Sequence, residues 1–350
     1  MFSFTKKNAF FPLMKDFSLL TANWYRLNKR KLPWRKTKDP YKIWLSEIIL
    51  QQTRIEQGTG YYIKFIQHYP TVKDLAEADE IDILNDWQGL GYYSRARNLH
   101  YSAKYIVKEL GGIFPTTFND IIKLKGVGKY TAAAVSSFAF GEEKAVVDGN
   151  VYRLLSRLYN LHSPIDSGLG QKEFQQIADD LIIGTDPAIH NQAMMEIGSL
   201  ICSPQPKCND CPVSHYCLAF QEGTIQDLPV KTKKNKIRKR YFHFLIYSED
   251  EKTILERRNE KDIWQNMYQF PLFESSTRED TIPIDLSRRS HYSEPIKHIL
   301  SHQHIYATFH HIEGLPNTIK DNWTIIKRKN IQDFPLPRVI DRYLEKTSNA

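Results

Sequence analysis

The sequence predicts two parts of different structural class, a mainly α N-terminal region and an α+β C-terminal domain. Three observations point there. Between residue 15 and about residue 225, apolar residues recur at helical spacing between short turns, with few alternating stretches. Residues 231–240 (KTKKNKIRKR) then carry seven basic residues and no acid, the signature of a solvated linker. Beyond it, 241–247 (YFHFLIY), 253–257, 304–310 and 323–326 read as strands, and 339–345 as a closing helix. The second part has about 110 residues, an ordinary domain size.

The first part can be followed element by element. Residues 43–57 (IWLSEIILQQTRIEQ) read as one helix whose apolar face carries Ile43, Leu45, Ile48 and Ile49. Residues 87–93 (WQGLGYY) form a glycine-broken turn that opens a helix from 94 to 110, which Gly111 and Gly112 close. Residues 119–124 end a further helix, and 130–140 (YTAAAVSSFAF) form the next. Between these two lies Leu124-Lys125-Gly126-Val127-Gly128-Lys129-Tyr130. Gly126 and Gly128 let the backbone turn sharply and leave N–H groups free at a helix N-terminus, a nest that attracts phosphate. Val147-Asp148-Gly149-Asn150 follows, just before a helical run at 151–161. Read separately, the first is a glycine-rich interhelical turn and Asp148 a helix N-cap. Read together, a phosphate grip and a single acid point to chemistry on a nucleic-acid backbone or its sugar. In the second part, 281–293 is polar and reads as an irregular surface loop, and 332–336 (QDFPL) as the segment that closes the domain before its last helix. His291, His298, His302, His304, His310 and His311 read as surface residues of a strand rather than a metal set.

Composition sets the limits. The chain has 350 residues, room for two or three domains, with 41% hydrophobic and 25% charged residues. No uncharged run is long enough to span a bilayer. The opening MFSFTKKNAFFPLM places two lysines inside an apolar stretch, a poor secretory signal, so an intracellular protein is expected. Net charge is +8, which favours a polyanionic partner. All four cysteines, Cys202, Cys208, Cys211 and Cys217, fall within sixteen residues. Four thiolates so close need a shared positive centre. Zinc is one candidate, though its usual form is paired knuckles separated by a longer loop. The compact array suits a cubane iron–sulfur cluster.

These segments resemble the MutY adenine DNA glycosylases, members of the helix-hairpin-helix superfamily that includes endonuclease III. The resemblance is carried by LPWRKTKDPYKIWLSEIILQQTRIEQ at 32–57, GLGYYSRARNLH at 89–100, GVGKYTAAAV at 126–135, VVDGNVYR at 146–153 and NQAMMEIG at 191–198. The cysteine loop follows in the same order. It resembles the family's C-x6-C-x2-C-x5-C loop with one residue fewer in the first gap, Cys202 to Cys208. IWQNMYQFPLFE at 263–274 resembles the strand and turn of the family's MutT-like domain, without the glutamate-rich pyrophosphatase box, so nucleotide hydrolysis is not expected. The resemblance implies a glycosylase region at 1–225, with a six-helix module at about 30–145 and an iron–sulfur module built from about 15–29 and 146–225. A basic linker at 226–240 and a MutT-like domain at 241–350 complete the expected organisation.

The same resemblance implies roles. Glu47 would protonate adenine, and Asp148 would stabilise the oxocarbenium-like sugar. Burial on an apolar helix would raise the pKa of Glu47 and keep its proton available. Asn150 would support Asp148 and the attacking water. Tyr130 stands where bifunctional relatives carry a Schiff-base lysine, which implies a monofunctional enzyme. Arg30, Trp34, Arg35 and Gln192 would line the adenine pocket, and Gln51 and Tyr92 would wedge into the opened stack. Gly126, Gly128 and Lys129 would contact phosphate. Ser301 and His302, in His298-Ile299-Leu300-Ser301-His302, would read 8-oxoguanine, with leucine where the family has phenylalanine. The four cysteines would hold one 4Fe-4S cluster. The implied partner is duplex DNA with adenine opposite 8-oxoguanine or guanine, bound by a monomer. Two other classes compete with this reading. One is a non-catalytic lesion sensor, against which the presence of both Glu47 and Asp148 argues. The other is a mismatch thymine glycosylase on the same scaffold, against which the C-terminal domain argues.

Overall fold

The computed structural model describes residues 7–232, 237–277 and 288–348. Thirteen α-helices run in chain order among them: α1 Lys7–Asn28, α2 Pro40–Ile49, α3 Ile55–His68, α4 Val72–Glu77, α5 Glu80–Asp86, α6 Ser94–Glu109, α7 Phe118–Ile121, α8 Lys129–Phe140, α9 Gly149–Leu158, α10 Gly168–Ile182, α11 Pro187–Leu200, α12 Leu218–Glu222 and α13 Arg338–Ser348. Eight strands lie between α12 and α13: β1 Arg238–Ser248, β2 Lys252–Arg257, β3 Tyr268–Gln269, β4 Leu272–Ser275, β5 Arg289–Tyr292, β6 Ile296–Ile299, β7 Gln303–Glu313 and β8 Trp323–Lys327. The chain divides into two compact units, Met1–Lys73 with Ser102–Lys233, and Asp74–Tyr101 with Lys234–Ala350. Residues 233–236 of the expected basic linker lie outside the described residues. None of the helices among the described residues is long and apolar enough to cross a membrane.

The first unit is all helical among its described residues. Its core joins Phe17 of α1 to Val151, Leu154, Leu155 and Leu158 of α9, Phe174 and Leu181 of α10, and Met194 and Ile197 of α11. Aspartates start three of its helices. Asp39 accepts from the Tyr41 and Lys42 amides ahead of α2, Asp148 from Asn150 and Val151 ahead of α9, and Asp186 from Ile189 ahead of α11. Gly198 sets how closely α11 meets α9. A Cβ placed there would lie 2.8 Å from the Asn150 carbonyl oxygen, so only glycine fits. The single helix expected at 43–57 is two. After Ile49 the chain turns, Gln52 takes a left-handed φ of 55°, and α3 begins at Ile55. The apolar periodicity continues across this break because Ile48 and Ile55 stand seven residues apart, two helical turns, which hides the turn.

The second unit carries two sheets. In the larger, the strand order is β4-β1-β7-β5, with β6 pairing β7 as well. β1 and β7 run parallel over eleven residues each, from Arg238 opposite Gln303 to Ser248 opposite Glu313. The smaller sheet has the order β3-β2-β8. α13 covers β7, where Tyr343 stacks on Phe309 with ring centroids 3.8 Å apart. Residues 74–101 are tied into this unit by polar contacts. Gln88 donates to Asp341 at 2.8 Å, Asn266 to Glu80 at 2.6 Å and Arg97 to the Gln265 carbonyl at 2.7 Å. At 332–336, Leu336 is fully buried and Phe334 packs on Tyr268, as expected of a closing segment.

Two expectations for this unit change. Residues 281–287 lie outside the described residues, but 289–292, expected in a loop, form β5 against β7. The histidines are also not all superficial. His310 is 2% exposed, and its Nε2 lies 3.1 Å from Nδ1 of buried His243. The reason is position: β7 is flanked on both edges and covered by α13, so alternate side chains must be buried. Neutral imidazoles can be buried there. Burial and neighbouring positive groups lower the pKa of His310 and of His311 to about 4 each.

Candidate active site

One cavity of about 380 Å³ in the first unit collects the expected catalytic and adenine-pocket residues. Glu47, Tyr130, Asp148, Asn150, Arg30, Trp34, Arg35 and Gln192 all line it. This volume falls within the usual range for a small-ligand site. Each side chain arrives on a rigid element. Glu47 projects from the buried face of α2, Tyr130 from the first turn of α8, Asp148 and Asn150 from the start of α9, and Gln192 from α11. Trp34 and Arg35 come from a short 3-10 turn, Pro33–Lys36, where Trp34 meets the ring edge of Tyr62 at 5.3 Å.

The electrostatics separate the two acids. Glu47 is 7% exposed, and burial is the main cause that lifts its carboxyl to about 7. A hydrogen bond from the Tyr130 hydroxyl and the charge of Arg35 act against that rise, and Asp148 adds to it. The Tyr130 phenol is itself pushed well above its ordinary value, by burial first and then by Glu47 and Asp148. It therefore stays protonated, and its hydroxyl, beside Glu47, donates to Met195 Sδ at 3.5 Å. Asp148 is raised by burial too, but Val151, Asn150 and Arg153 counter the rise. Its Oδ1 accepts from the amides of Asn150 at 2.9 Å and Val151 at 2.7 Å, and its Oδ2 from Asn150 Nδ2 at 2.8 Å. Such bonds favour the ionised form. One acid thus has its proton held up to about neutral pH by burial, while the other has three hydrogen bonds and Arg153 opposing the same push, an asymmetry that suits glycosidic chemistry.

Three residues of this site do not stand out in the sequence. Glu196, with its side chain 1% exposed, receives both pocket arginines: Arg30 Nη2 at 2.8 Å and Arg35 Nη2 at 2.7 Å. Tyr25 donates to Gln192 Oε1 at 2.5 Å and so fixes the orientation of that amide. Arg153 donates to Asn150 Oδ1 at 2.9 Å and to the Gly198 and Cys202 carbonyls, both at 2.6 Å. Glu196 does carry a readable signal. It is the one acid in the sequence 187–200, spaced four residues from Gln192 and so on the same helix face.

The remaining expected residues lie elsewhere. Gln51 is outside the cavity lining and donates to Thr131 Oγ1 at 3.2 Å. Gly126, with φ of 82°, makes the turn of the hairpin between α7 and α8. Gly128 is the N-cap of α8 and offers no side-chain cap, leaving backbone donors for an anion. Lys129 is exposed and does not line the cavity. Tyr92, Ser301 and His302 belong to the second unit. Ser301 and His302 form the exposed tip of the β6–β7 hairpin, and Tyr92 reaches Ser301 there.

The four cysteines line a second cavity and are not paired as disulfides. Burial raises the Cys208 and Cys217 thiols, and raises Cys211 to about 11. These three thiols resist ionising together unless a cation shares the site. Buried Arg157 faces them. Its Nη1 lies 3.4 Å from Cys202 Sγ and 2.7 Å from the Ser203 carbonyl oxygen. A guanidinium placed against a thiol is compatible with an anionic thiolate, although among the described residues no three or more of these side chains are arranged to hold a metal ion.

Comparison with known proteins agrees with this geometry. Residues 45–178 match the HhH-GPD superfamily of base excision DNA repair proteins, and residues 242–346 match the NUDIX domain. An adenine DNA glycosylase of Buchnera aphidicola subsp. Schizaphis graminum is 35% identical over 341 residues, 94% of this chain and 98% of that protein. The chain belongs to the adenine DNA glycosylase family. Another member, from Homo sapiens, is 40% identical over 234 residues, 62% of this chain and 43% of the human protein. Among solved structures, a thermostable thymine-DNA glycosylase superposes with a TM-score of 0.56 at 31% identity, covering 60% of this chain and 97% of that one. A trapped endonuclease III–DNA intermediate superposes with a TM-score of 0.51 at 22% identity, covering 59% of this chain and 94% of that one, and shares the fold. As a family member the chain is a DNA N-glycosylase with a Nudix-like C-terminal domain.

Proposed function

We propose that this glycosylase removes adenine mispaired with 8-oxoguanine or guanine from duplex DNA, leaving an abasic site. The observation that carries this reading is that buried Glu47, its carboxyl raised to about 7, shares one cavity with Asp148, whose carboxyl accepts three hydrogen bonds from Asn150 and Val151. Glu47 would deliver its proton to the flipped adenine, which turns the base into a better leaving group. Asp148 would stabilise the positive charge developing on the sugar, or bond to it transiently, with Asn150 steadying it and the attacking water. Tyr130 would hold Glu47 in place through its hydroxyl, and no lysine is among the described residues that line the cavity, where a Schiff base would form. Arg30, Trp34, Arg35 and Gln192 would enclose the base, while Gln51 and Tyr92 would occupy the opened stack. The hairpin at Gly126–Lys129 would grip phosphate, and Ser301 with His302 would contact the oxidised base.

Cys202, Cys208, Cys211 and Cys217 would hold one 4Fe-4S cluster. Bound there, the cluster would brace the loop and needs no redox role in hydrolysis. The proposed functional division is 1–225, a linker at 226–240, and 241–350, although residues 74–101 group structurally with the last of these, and the protein would act as a monomer on intracellular DNA.

Purified protein tested under single-turnover conditions on duplexes carrying A opposite 8-oxoguanine, A opposite G and T opposite G decides this reading. Adenine release from the first two is expected. Thymine release would favour the mismatch thymine glycosylase instead. Against that alternative, the thymine-DNA glycosylase structure is matched almost end to end by 60% of this chain, whereas the adenine glycosylase of Buchnera is matched over 94%.

A further inference from the structure

Glu196 has no part in the proton transfer described above, yet it is a heavily bonded side chain of the cavity. Its Oε1 accepts from the Arg30 amide at 2.8 Å, Arg30 Nε at 2.9 Å and Arg35 Nη1 at 3.0 Å. Its Oε2 accepts from Arg30 Nη2 at 2.8 Å and Arg35 Nη2 at 2.7 Å. One carboxylate therefore takes two guanidiniums, each through two N–H groups, the strongest form of such a pair. Arg35 also donates to the Arg30 carbonyl at 3.1 Å, which closes the cluster.

We propose that Glu196 is a positioning residue for base release: it anchors Arg30 and Arg35 in the cavity wall and keeps the Arg35 charge engaged, so that Glu47 retains the proton it delivers. The inference rests on the adenine-release reading above. Its basis is geometric. Arg35 and Glu47 line the same cavity, and a free guanidinium there would favour the carboxylate form of Glu47. A guanidinium already bonded to an ionised partner does so much less. Against the upward push of burial, the bonds from Arg30 and Arg35 bring the Glu196 carboxyl down to about 2, so it stays charged across the working range. The other groups facing Glu47 are Tyr130 from α8 and Asp148 from the start of α9. Arg54 and Glu56, at the cavity edge beside α3, are exposed and solvent-screened.

The test is a pH profile of single-turnover adenine release by the full chain on an A opposite 8-oxoguanine duplex. Wild type is compared with Glu196→Gln, Arg35→Gln and the double variant. For Glu196→Gln, the alkaline limb is expected to move down by about one pH unit or more, which is about a fivefold loss at pH 7 against about a twofold loss at pH 6. Arg35→Gln alone should lower the rate without moving the limb by more than about half a unit. Added to Glu196→Gln, it should bring the limb back. A folded Glu196→Gln protein whose limb stays in place would overturn the proposal, as would a double variant that fails to restore it. If Glu196→Gln does not fold, Glu196→Asp keeps the charge but is too short to hold both guanidiniums. Its limb should fall between the two, and an unmoved limb counts equally against the proposal. A wild-type protein that releases no adenine sinks the underlying reading, a result distinct from an active enzyme whose limb does not shift.

Discussion

The Tyr92 hydroxyl donates a hydrogen bond of 2.5 Å to Ser301 Oγ, joining the glycine turn before α6 to the tip of the β6–β7 hairpin. Tyr92 is held for this bond by an unusual backbone. Gly89 and Gly91 have φ of 95° and 72°, and Tyr92 itself has φ of 47°, where a side chain costs energy. Despite that strained backbone, Tyr92 remains 39% exposed. The proposed stack wedge and the proposed reader of the oxidised base are thus a single hydrogen-bonded pair.

Selectivity should follow from that pair. The Ser301→Ala/His302→Ala variant is expected to lose more activity on A opposite 8-oxoguanine than on A opposite G, by about 1–3 kcal/mol for each good hydrogen bond to the oxidised base that is removed. Point substitutions are the cleaner experiment here. Removing 241–350 would also strip Gln88, Glu80 and Arg97 of their partners at Asp341, Asn266 and Gln265. Single-turnover rates on the two duplexes check the expectation, and an equal loss on both would assign the hairpin to general DNA affinity.

Glu47→Gln should reduce adenine release by about a hundred- to ten-thousand-fold, the usual contribution of a general acid, while duplex binding survives. Asp148→Asn should be comparably slow with its fold intact, because asparagine still caps α9. In the wild type, release should fall as pH rises through about 7, where Glu47 loses its proton. Stability should show the same group. The folded protein keeps the Glu47 proton up to about 7, whereas the unfolded chain releases it near the ordinary value of 4.5. Stability therefore falls as pH rises through that window. Glu47→Gln should escape this loss and gain on the order of 3 kcal/mol over wild type at pH 8, and little at pH 5. Urea unfolding at the two pH values checks the difference.

Strand cleavage beyond the abasic site is not expected. Tyr130 cannot form an imine, and Lys129 is exposed outside the cavity. Borohydride trapping on an A opposite 8-oxoguanine duplex should give little covalent adduct. Efficient trapping that survives Lys129→Ala would show another amine acting.

The histidines of the Nudix-like unit give an acid limit. His310 and His311 have folded-state pKa values lowered to about 4, so the unfolded chain binds protons first as pH falls below about 6.5. This unit should lose stability between those two values. His310 also leaves Nδ1 without a partner among the described residues, so His310→Leu should flatten the acid transition. Near-UV circular dichroism from pH 7 down to about 4 reads it, and an unchanged transition midpoint would contradict it.

Much of this was legible because the physics is local. Asp148 at a helix start, the glycines before α8 and the clustered cysteines each act through backbone geometry or spacing that a sequence displays. What was not legible depends on tertiary surroundings. The turn after Ile49 is hidden by an apolar rhythm that continues through it. Glu196 reads as an ordinary helix acid until Arg30 and Arg35, far earlier in the chain, close on it. His310 reads as polar, but burial selects its neutral form. The short strands β3 to β6 have too few residues to show an alternation.

The cysteine cavity supports the last prediction. Purified protein should be brown, absorb near 400 nm (about where iron–thiolate charge transfer falls) and contain about four irons. Arg157 is 3% exposed and bonds four backbone or thiol groups of the loop and its flank: Cys202 Sγ and the Ser203, Pro204 and Ile225 carbonyls. Arg157→Gln would leave several of those carbonyls without donors and remove the buried cation facing the thiols. Iron content per chain should therefore fall, and the absorbance should bleach faster in air than in wild type, even where fresh enzyme still releases adenine. The comparison of iron with zinc by metal analysis decides the cofactor itself. Stoichiometric zinc in a colourless protein would show that the one-residue-shorter gap between Cys202 and Cys208 closes around a single ion instead of a cluster.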